Sequence, residues 1–431
     1  MPPAKAEKAA GAASFAELLA AGAFALLLLP FGPIFWWILY LSLVILCRRF
    51  WSLEAALIGY AFWYLVFDSK VGESGARRSH WVRRWRCWKY LRGYFNLTAQ
   101  VAEPLAPGGR YILGYHPHGV VSVGAFIGFG TDAAGLSTIC PGLDFRLCTL
   151  PVNFKVPFIR EVVTALGIID SSRKAIAKQL RKDGSVVVIV VGGAREALEA
   201  HPGSSRIHLV TRKGFVREAL LAGASLVPCY AFGENEVYDT LVPRGFLTRA
   251  TRFLQKRGLL TYGYSMPIFW GTVPFTDKQF VGGIQPKRQN IALTLGRPLP
   301  IPALTRFEEE GRLEIVFKRR LKKESEFYPF GFEGQAARNG IGMIVKRGTR
   351  DPSAAWGVAS LERGMLVTTV AGKDVTTMAY GEIEELIDNA GTPLTVTFTD
   401  GLVATWHSQY MEELQRVHDS HALCKESLLI S

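Results

Sequence analysis

At 431 residues the chain is long enough for two or three domains, and a 49% hydrophobic content with positive mean hydropathy excludes a polar disordered chain and turns part of it toward lipid. A formal net charge of +13 fits a nucleic-acid binder, a protein held at an anionic membrane surface or one that handles a polyanionic small molecule, and charge by itself does not choose among them. Six scattered cysteines (Cys47, Cys87, Cys140, Cys148, Cys229 and Cys424) lack metal-ligand spacing and point to reduced thiols in a cytosol-facing body.

Phe15 to Cys47 is almost wholly apolar, carries only Glu17 and ends at Arg48-Arg49, the signature of a membrane segment. It lacks a charged n-region and a small-residue cleavage site, which disfavours a removable signal peptide. Pro30, Gly32 and Pro33 divide it into two arms, each short of the about twenty residues needed to cross a bilayer, so one kinked span and a re-entrant hairpin both stay open. Basic residues on both flanks favour the hairpin. Leu53–Phe67 is a second apolar, aromatic-rich stretch. His80–Tyr94 (HWVRRWRCWKYLRGY) interleaves tryptophan and tyrosine with arginine and lysine, which suits a helix at the lipid headgroup level; single-stranded nucleic acid is the rival partner and ranks last.

From Arg110 the pattern alternates strands (YILGY, Phe145–Leu150, VVVIVV at Val186–Val191, Leu226–Phe232) with helices (Arg173–Lys182, Gly214–Ala222), an α/β layout of a sheet flanked by helices. Around Arg306 a charged stretch (FEEEGRLEIVFKRRLKKESEF) reads as a helix. Gly331–Asp400 reads as a small β-rich unit with one helix, and Trp406–Cys424 as an amphipathic helix.

His116-Pro117-His118-Gly119 follows directly on the strand YILGY, where α/β sheets present reactive groups. The imidazole of His116, alone or with His118, is expected to take the proton of an attacking hydroxyl; structural histidines are the bland alternative, and a zinc site lacks further ligands. Pro117 stiffens the turn and Gly119 leaves room for close approach. Arg173 heads a helix after Asp170-Ser171-Ser172, where it could meet phosphate or where Ser171 or Ser172 could simply cap the helix. Gly192-Gly193-Ala194-Arg195-Glu196 follows the VVVIVV strand but lacks the spacing and lysine of a nucleotide loop. Arg206, Arg212, Lys213 and Arg217, with Gly214 opening a helix, make a basic patch suited to phosphates.

In order along the chain, YHPHG, LGIIDSSR, VVGGAREAL, RKGFVREALLAGASLVPCYAFGENEVYD and GRPLPIP resemble the diacylglycerol acyltransferase type 2 family, and HSQYMEELQRVHDSH resembles its closing helix. The resemblance implies an endoplasmic-reticulum membrane protein whose body faces the cytosol. It further implies acyl-CoA as co-substrate with no separate cofactor, diacylglycerol as acceptor, and His116 and His118 in the active-site motif. Monoacylglycerol or a wax alcohol is the alternative acceptor within that family. Pro117, Gly119, Arg173, Gly193, Arg195, Arg212, Lys213 and Gly214 are then expected to bind substrate.

A more distant similarity to glycerophosphate acyltransferases implies an aspartate five positions after the histidine, but Val121 and Val123 stand at the corresponding places; Glu196 is the candidate that orients the imidazole instead. Arg92-Gly93-Tyr94-Phe95-Asn96 matches a family segment but ends in asparagine where proline is usual.

Gly340-Ile341-Gly342-Met343, LERGMLVTTVAGKDVTTM and GEIEELIDNAG look like a PDZ domain inserted near the C-terminus, whose loop would capture a peptide carboxylate. The expected organisation is thus a tail and membrane anchor over 1–70, an acyltransferase-like domain over 71–305 and a charged helical linker over 306–328. A PDZ-like insert over 329–402 and a C-terminal helix over 403–431 that completes the acyltransferase domain follow. A membrane-tethered scaffold with an inert acyltransferase fold is the alternative from another class.

Overall fold

The computed structural model describes residues 13–28, 32–75, 77–241, 267–276, 278–301, 312–317, 332–336, 343–348, 365–375, 377–391, 394–399, 401–421 and 428–430. They fall into two compact units, one made of 1–212, 227–298 and 413–431 and the other of 213–226 and 299–412.

The first unit is built on a seven-stranded sheet whose strands come from β1 (Thr98–Val101), β2 (Tyr111–His116), β3 (Asp144–Thr149), β4 (Ile169–Asp170), β5 (Ser185–Val190), β7 (Ser225–Phe232) and β10 (Ala292–Leu295). The spatial order is β1-β10-β7-β2-β5-β3-β4. Strands β2, β5, β3 and β4 run parallel, and the central ones read as continuous apolar, β-branched runs because both faces are covered. In β2 every residue is buried, and Val186, Val187 and Val188 are wholly enclosed. Short two-stranded ribbons join β6 (Arg206–Ile207) to the C-terminal β17 (Leu429–Ile430), and β8 (Asp239–Thr240) to β9 (Phe269–Trp270).

Because β2 and β5 are parallel with Tyr115 opposite Val190, the loops that leave their carboxyl ends emerge side by side. His116–Gly119 and Gly192–Arg195 are those two loops. The end of β7 joins them through Gly233 and Glu234, and at the end of the helix Gly401–Asp419 the rings of His418 and, just beyond it, His421 pack on Tyr230 and Phe232, with centroids 4.9 and 3.9 Å apart.

The apolar N-terminal stretch forms α1 (Phe15–Leu28) and α2 (Gly32–Leu46), followed by a short 3₁₀ turn and α3 (Trp51–Val66). The break falls between the two expected arms. Among the described residues no helix is long and apolar enough to cross a membrane. One face of α1 is core: Ala21, Phe24 and Ala25 are buried, and the Phe24 ring lies 5.3 Å from that of Phe126. Together α2 and α3 expose Ile38, Leu41, Ile45, Leu46, Phe50, Trp51, Ile58, Phe62 and Phe67, while Tyr40 and Tyr64 face inward. So broad an apolar exposure is the mark of a surface that meets lipid or another protein.

After the single turn α4 (Val71–Ser74), the His80–Tyr94 stretch is two helices rather than one. These are α5 (His80–Arg83) and α6 (Arg86–Tyr94), with the chain extended at Trp85. Arg83 enforces the break: its buried guanidinium turns into the core and donates to Asp132 Oδ1 and to the carbonyls of Phe129, Gly130, Thr131 and Leu166 at 2.6–3.2 Å. The carbonyls of Phe129, Gly130 and Thr131 close the π-helical turn Phe126–Gly130, and that of Leu166 closes the helix Ile159–Ala165; both endings would otherwise leave acceptors unsatisfied.

In the second unit β11 (Arg312–Phe317), β12 (Phe332–Ala336), β13 (Met343–Gly348), β14 (Leu366–Val370), β15 (Lys373–Asp374) and β16 (Leu394–Thr399) form an antiparallel sheet, with the helix Tyr380–Asp388 contributing Ile383 and Ile387 to its core. The expected charged helix over 306–328 is therefore corrected at Arg312–Phe317, which is a strand paired with β16. Leu313, Ile315 and Phe317 alternate with Arg312 and Glu314, a period of two that suits a pleated strand better than the charge content suits a helix.

Candidate active site

His116 is the last residue of β2 and is completely buried. A cis peptide joins it to Pro117, and Gly119 takes φ +60, a conformation that favours glycine. A Cβ on Gly119 would stand 2.8 Å from Glu234 Cγ, so the glycine is needed for the approach of that side chain as well as for the turn.

His118 lies half-covered in the loop. Its Nδ1 is 3.0 Å from the carbonyl oxygen of Gly119 and 3.4 Å from Ser122 Oγ, while Ser122 Oγ donates to the His118 carbonyl at 2.8 Å. A carbonyl can only accept, so Nδ1 carries the ring proton and the lone pair belongs to Nε2. Desolvation holds the ring below the usual imidazole range, with the backbone contacts pulling the other way. The ring is therefore neutral at pH 7.

Glu196 sits on the helix Gly193–Ala197 and is 2% exposed. One oxygen accepts the His118 backbone N–H at 2.5 Å and the other the His208 backbone N–H at 2.8 Å. Both carboxylate oxygens thus accept main-chain N–H groups, and through them Glu196 fixes the loop from which the His118 ring projects. Burial pushes its pKa up to about 7 against the pull of those two N–H groups and of Arg212. Gly192 admits it, since a Cβ there would fall 2.1 Å from Glu196 Oε2, and Arg212 Nη2 donates to the Gly192 carbonyl at 3.2 Å.

A second buried carboxylate, Glu234, was not foreseen as a site residue. It accepts from Tyr115 Oη at 2.6 Å and from the backbone N–H groups of Val123 and Gly124 at 2.7 and 2.8 Å. Its burial likewise pushes its pKa up to about 7. The loop from His118 to Gly124 is thereby held by one carboxylate at each end. At Val123, where the more distant resemblance would have an aspartate, the carboxylate arrives through space from Glu234. The only sequence signal was its position just past the buried strand LVPCYAF, in the FGENE run.

The remaining expected residues divide. Pro117 is buried in the loop, and Gly193 takes φ +61 with open space where a Cβ would stand. Arg195 and Arg173 are exposed on their helices. Arg173 follows β4, three strand positions from β2 or roughly 14 Å at the usual spacing, and Ser172 caps its helix by accepting from Ala175 N–H at 3.2 Å. Lys213 and Gly214 open the helix Gly214–Ala222 in the second unit, which also holds Arg217. Gly340, Ile341 and Gly342 lie outside the described residues, and Met343 is wholly buried in the core of the second sheet. Among the described residues no cluster of metal-ligating side chains occurs, and Cys47, Cys87, Cys140, Cys148 and Cys229 are free thiols.

A family model described as diacylglycerol acyltransferase matches residues 43–315. Diacylglycerol O-acyltransferase 2 of Dictyostelium discoideum is 40% identical over 263 residues, covering 61% of this chain and 77% of that protein. The Danio rerio protein of the same name is 38% identical over 279 residues, with coverage of 64% and 74%. Among solved structures, a choanoflagellate SHANK1 PDZ domain bound to a GIRK3 peptide is 22% identical, covering 21% of this chain and 93% of that one, at a TM-score of 0.17 too low to carry an argument.

Proposed function

The chain belongs to the diacylglycerol acyltransferase family, and from that premise we propose that it transfers an acyl group from acyl-CoA to the free hydroxyl of diacylglycerol, with His118 as general base. The observation that carries the assignment is the His118 ring, neutral at pH 7, with Nδ1 occupied by the Gly119 carbonyl and Nε2 left as acceptor. The hydroxyl proton passes to Nε2 as the oxygen attacks the thioester carbonyl. The C–S bond then breaks, and coenzyme A leaves as thiolate that recovers the proton from the imidazolium. No acyl-enzyme forms. His116, enclosed at the strand end, positions the loop.

Acyl-CoA is the sole co-substrate, and Arg212, beside the Gly192 carbonyl, is suited to its phosphates. The protein works at the endoplasmic-reticulum membrane with its catalytic body toward the cytosol. There the short arms α1 and α2 and the exposed apolar residues of α2 and α3 favour a hairpin that enters and leaves on one side. In the second unit, residues 340–343 would receive a peptide carboxylate, which binding of C-terminal peptides to the full chain would test. The decisive assay uses microsomes with labelled acyl-CoA and diacylglycerol, monoacylglycerol or fatty alcohol. Diacylglycerol is expected to be the preferred acceptor, His118→Ala is expected to lower product formation about 10²–10⁴-fold, and recovery of an acylated protein on acid quench would overturn direct transfer.

A further inference from the structure

His80, Trp81, Arg84, Trp85 and Arg86 line an open groove of about 470 Å³ where α5 gives way to α6. All five side chains lie toward solvent, whereas their neighbours Arg83 and Trp88 turn inward, so the packing of this segment leaves two cations and two indoles on one outward face. Trp81 is 73% exposed, a large cost in water for an aromatic ring with nothing over it, and it meets Trp85 edge-on at 5.1 Å. Arg84 keeps only a 3.4 Å contact with Asp132, which Arg83 already engages at 2.7 Å, so its guanidinium stays available.

Exposed apolar residues lie on the helix that packs against α6 and on the segment that precedes α5 in the chain. α6 packs along α1, which exposes Phe15, Leu19 and Leu26, and fourteen residues earlier in the chain α3 ends at the exposed Val66 and Phe67. We propose that this groove binds the phosphate of a membrane phospholipid headgroup, with Arg84 and Arg86 on the phosphate and Trp81 and Trp85 at the level of the glycerol. Guanidinium forks match phosphate geometry, and indoles rest where apolar and aqueous phases meet. The proposal rests on the membrane reading above and is independent of the acyl-transfer chemistry.

The test uses the full chain in nanodiscs doped with a phospholipid carrying a photoreactive headgroup, followed by mapping of labelled peptides. Label is expected in residues 80–94. It should fall at least about ten-fold in the Arg84→Gln/Arg86→Gln double variant, in line with the anionic-surface attraction of two arginines. A Lys178→Gln/Lys373→Gln double variant, which removes equal charge from exposed sites elsewhere, keeps the label. Excess coenzyme A or inorganic phosphate leaves it unchanged. Equal labelling of wild type and the arginine variant overturns the proposal, and so does loss of label with coenzyme A, which would assign the groove to the acyl donor. A second lipid with its reactive group at the end of the acyl chain reports insertion of residues 32–66, so failure of the membrane reading is told apart from failure of the headgroup site. Diacylglycerol acylation in mixed micelles checks that the arginine variant is folded.

Discussion

His118 and Glu196 are joined by one hydrogen bond, yet their substitutions should fail in different ways. His118→Ala removes the base, and product formation is expected to drop about 10²–10⁴-fold with the melting temperature nearly unchanged. Glu196→Gln keeps the shape but puts an NH₂ against one of two backbone N–H donors, which should cost about 1–3 kcal/mol in thermal unfolding and reduce activity through the displaced loop. The pH dependence separates them further. In the wild type the acid limb of kcat/KM is expected near pH 7, where Glu196, which holds the His118 backbone N–H, takes up its proton. In Glu196→Gln the residual activity should extend to lower pH, as His118 stays neutral below the ordinary imidazole range. An acid limb that does not move would rule out this role for Glu196. Linkage adds a stability test: Glu196 and Glu234 have pKa values raised from 4.5 to about 7, so the folded state holds more protons than the unfolded between those values. Stability therefore falls as pH rises from about 4.5 to 7, and the glutamine variants should flatten that slope in urea titrations. The histidines were legible in the sequence because a Gly/Pro turn after an apolar strand is a local pattern. Glu234 was not, since it lies 111 residues from the Val123 N–H it accepts.

Among the elements, the central parallel strands were legible because burial on both faces writes itself as an unbroken β-branched run, as in Val186–Val190. Arg312–Phe317 was misread because its charges masked the alternation, and the break between α5 and α6 because nothing local announces that Arg83 turns inward. Asn96 explains one departure from the related segment. It takes φ +40 beside the buried Tyr94 and Phe95, which asparagine tolerates and a proline ring, fixed near −65°, cannot. Asn96→Pro should accordingly abolish stable expression, while Asn96→Gly should leave the melting temperature within about 2 °C. Gly119→Ala combines strained φ with the clash at Glu234, and is expected to cost about 1–3 kcal/mol and most of the activity.

At the scale of the whole molecule, composition turns the N-terminal segment toward lipid, but sequence alone does not reveal that α1 gives one face to the core beside Phe126. If α1 and α2 enter and leave on one side, tags placed before Phe15 and after Phe67 should both be cleaved by protease added to sealed microsomes; protection of either tag would replace the hairpin by a span. The same N-terminal region contains Arg83, whose five oxygen partners are spread over Phe129–Asp132 and Leu166. Through that one residue the aromatic and basic segment His80–Tyr94 is not a detachable module. Its aromatic and basic residues could be copied onto another protein as a peptide, but the break that gives them their shape would stay behind with the core. Conversely, a truncation that removes α1 already strips Ala21, Phe24 and Ala25 from the core, and one that runs past Arg83 also leaves Asp132 and the carbonyls around it without their guanidinium.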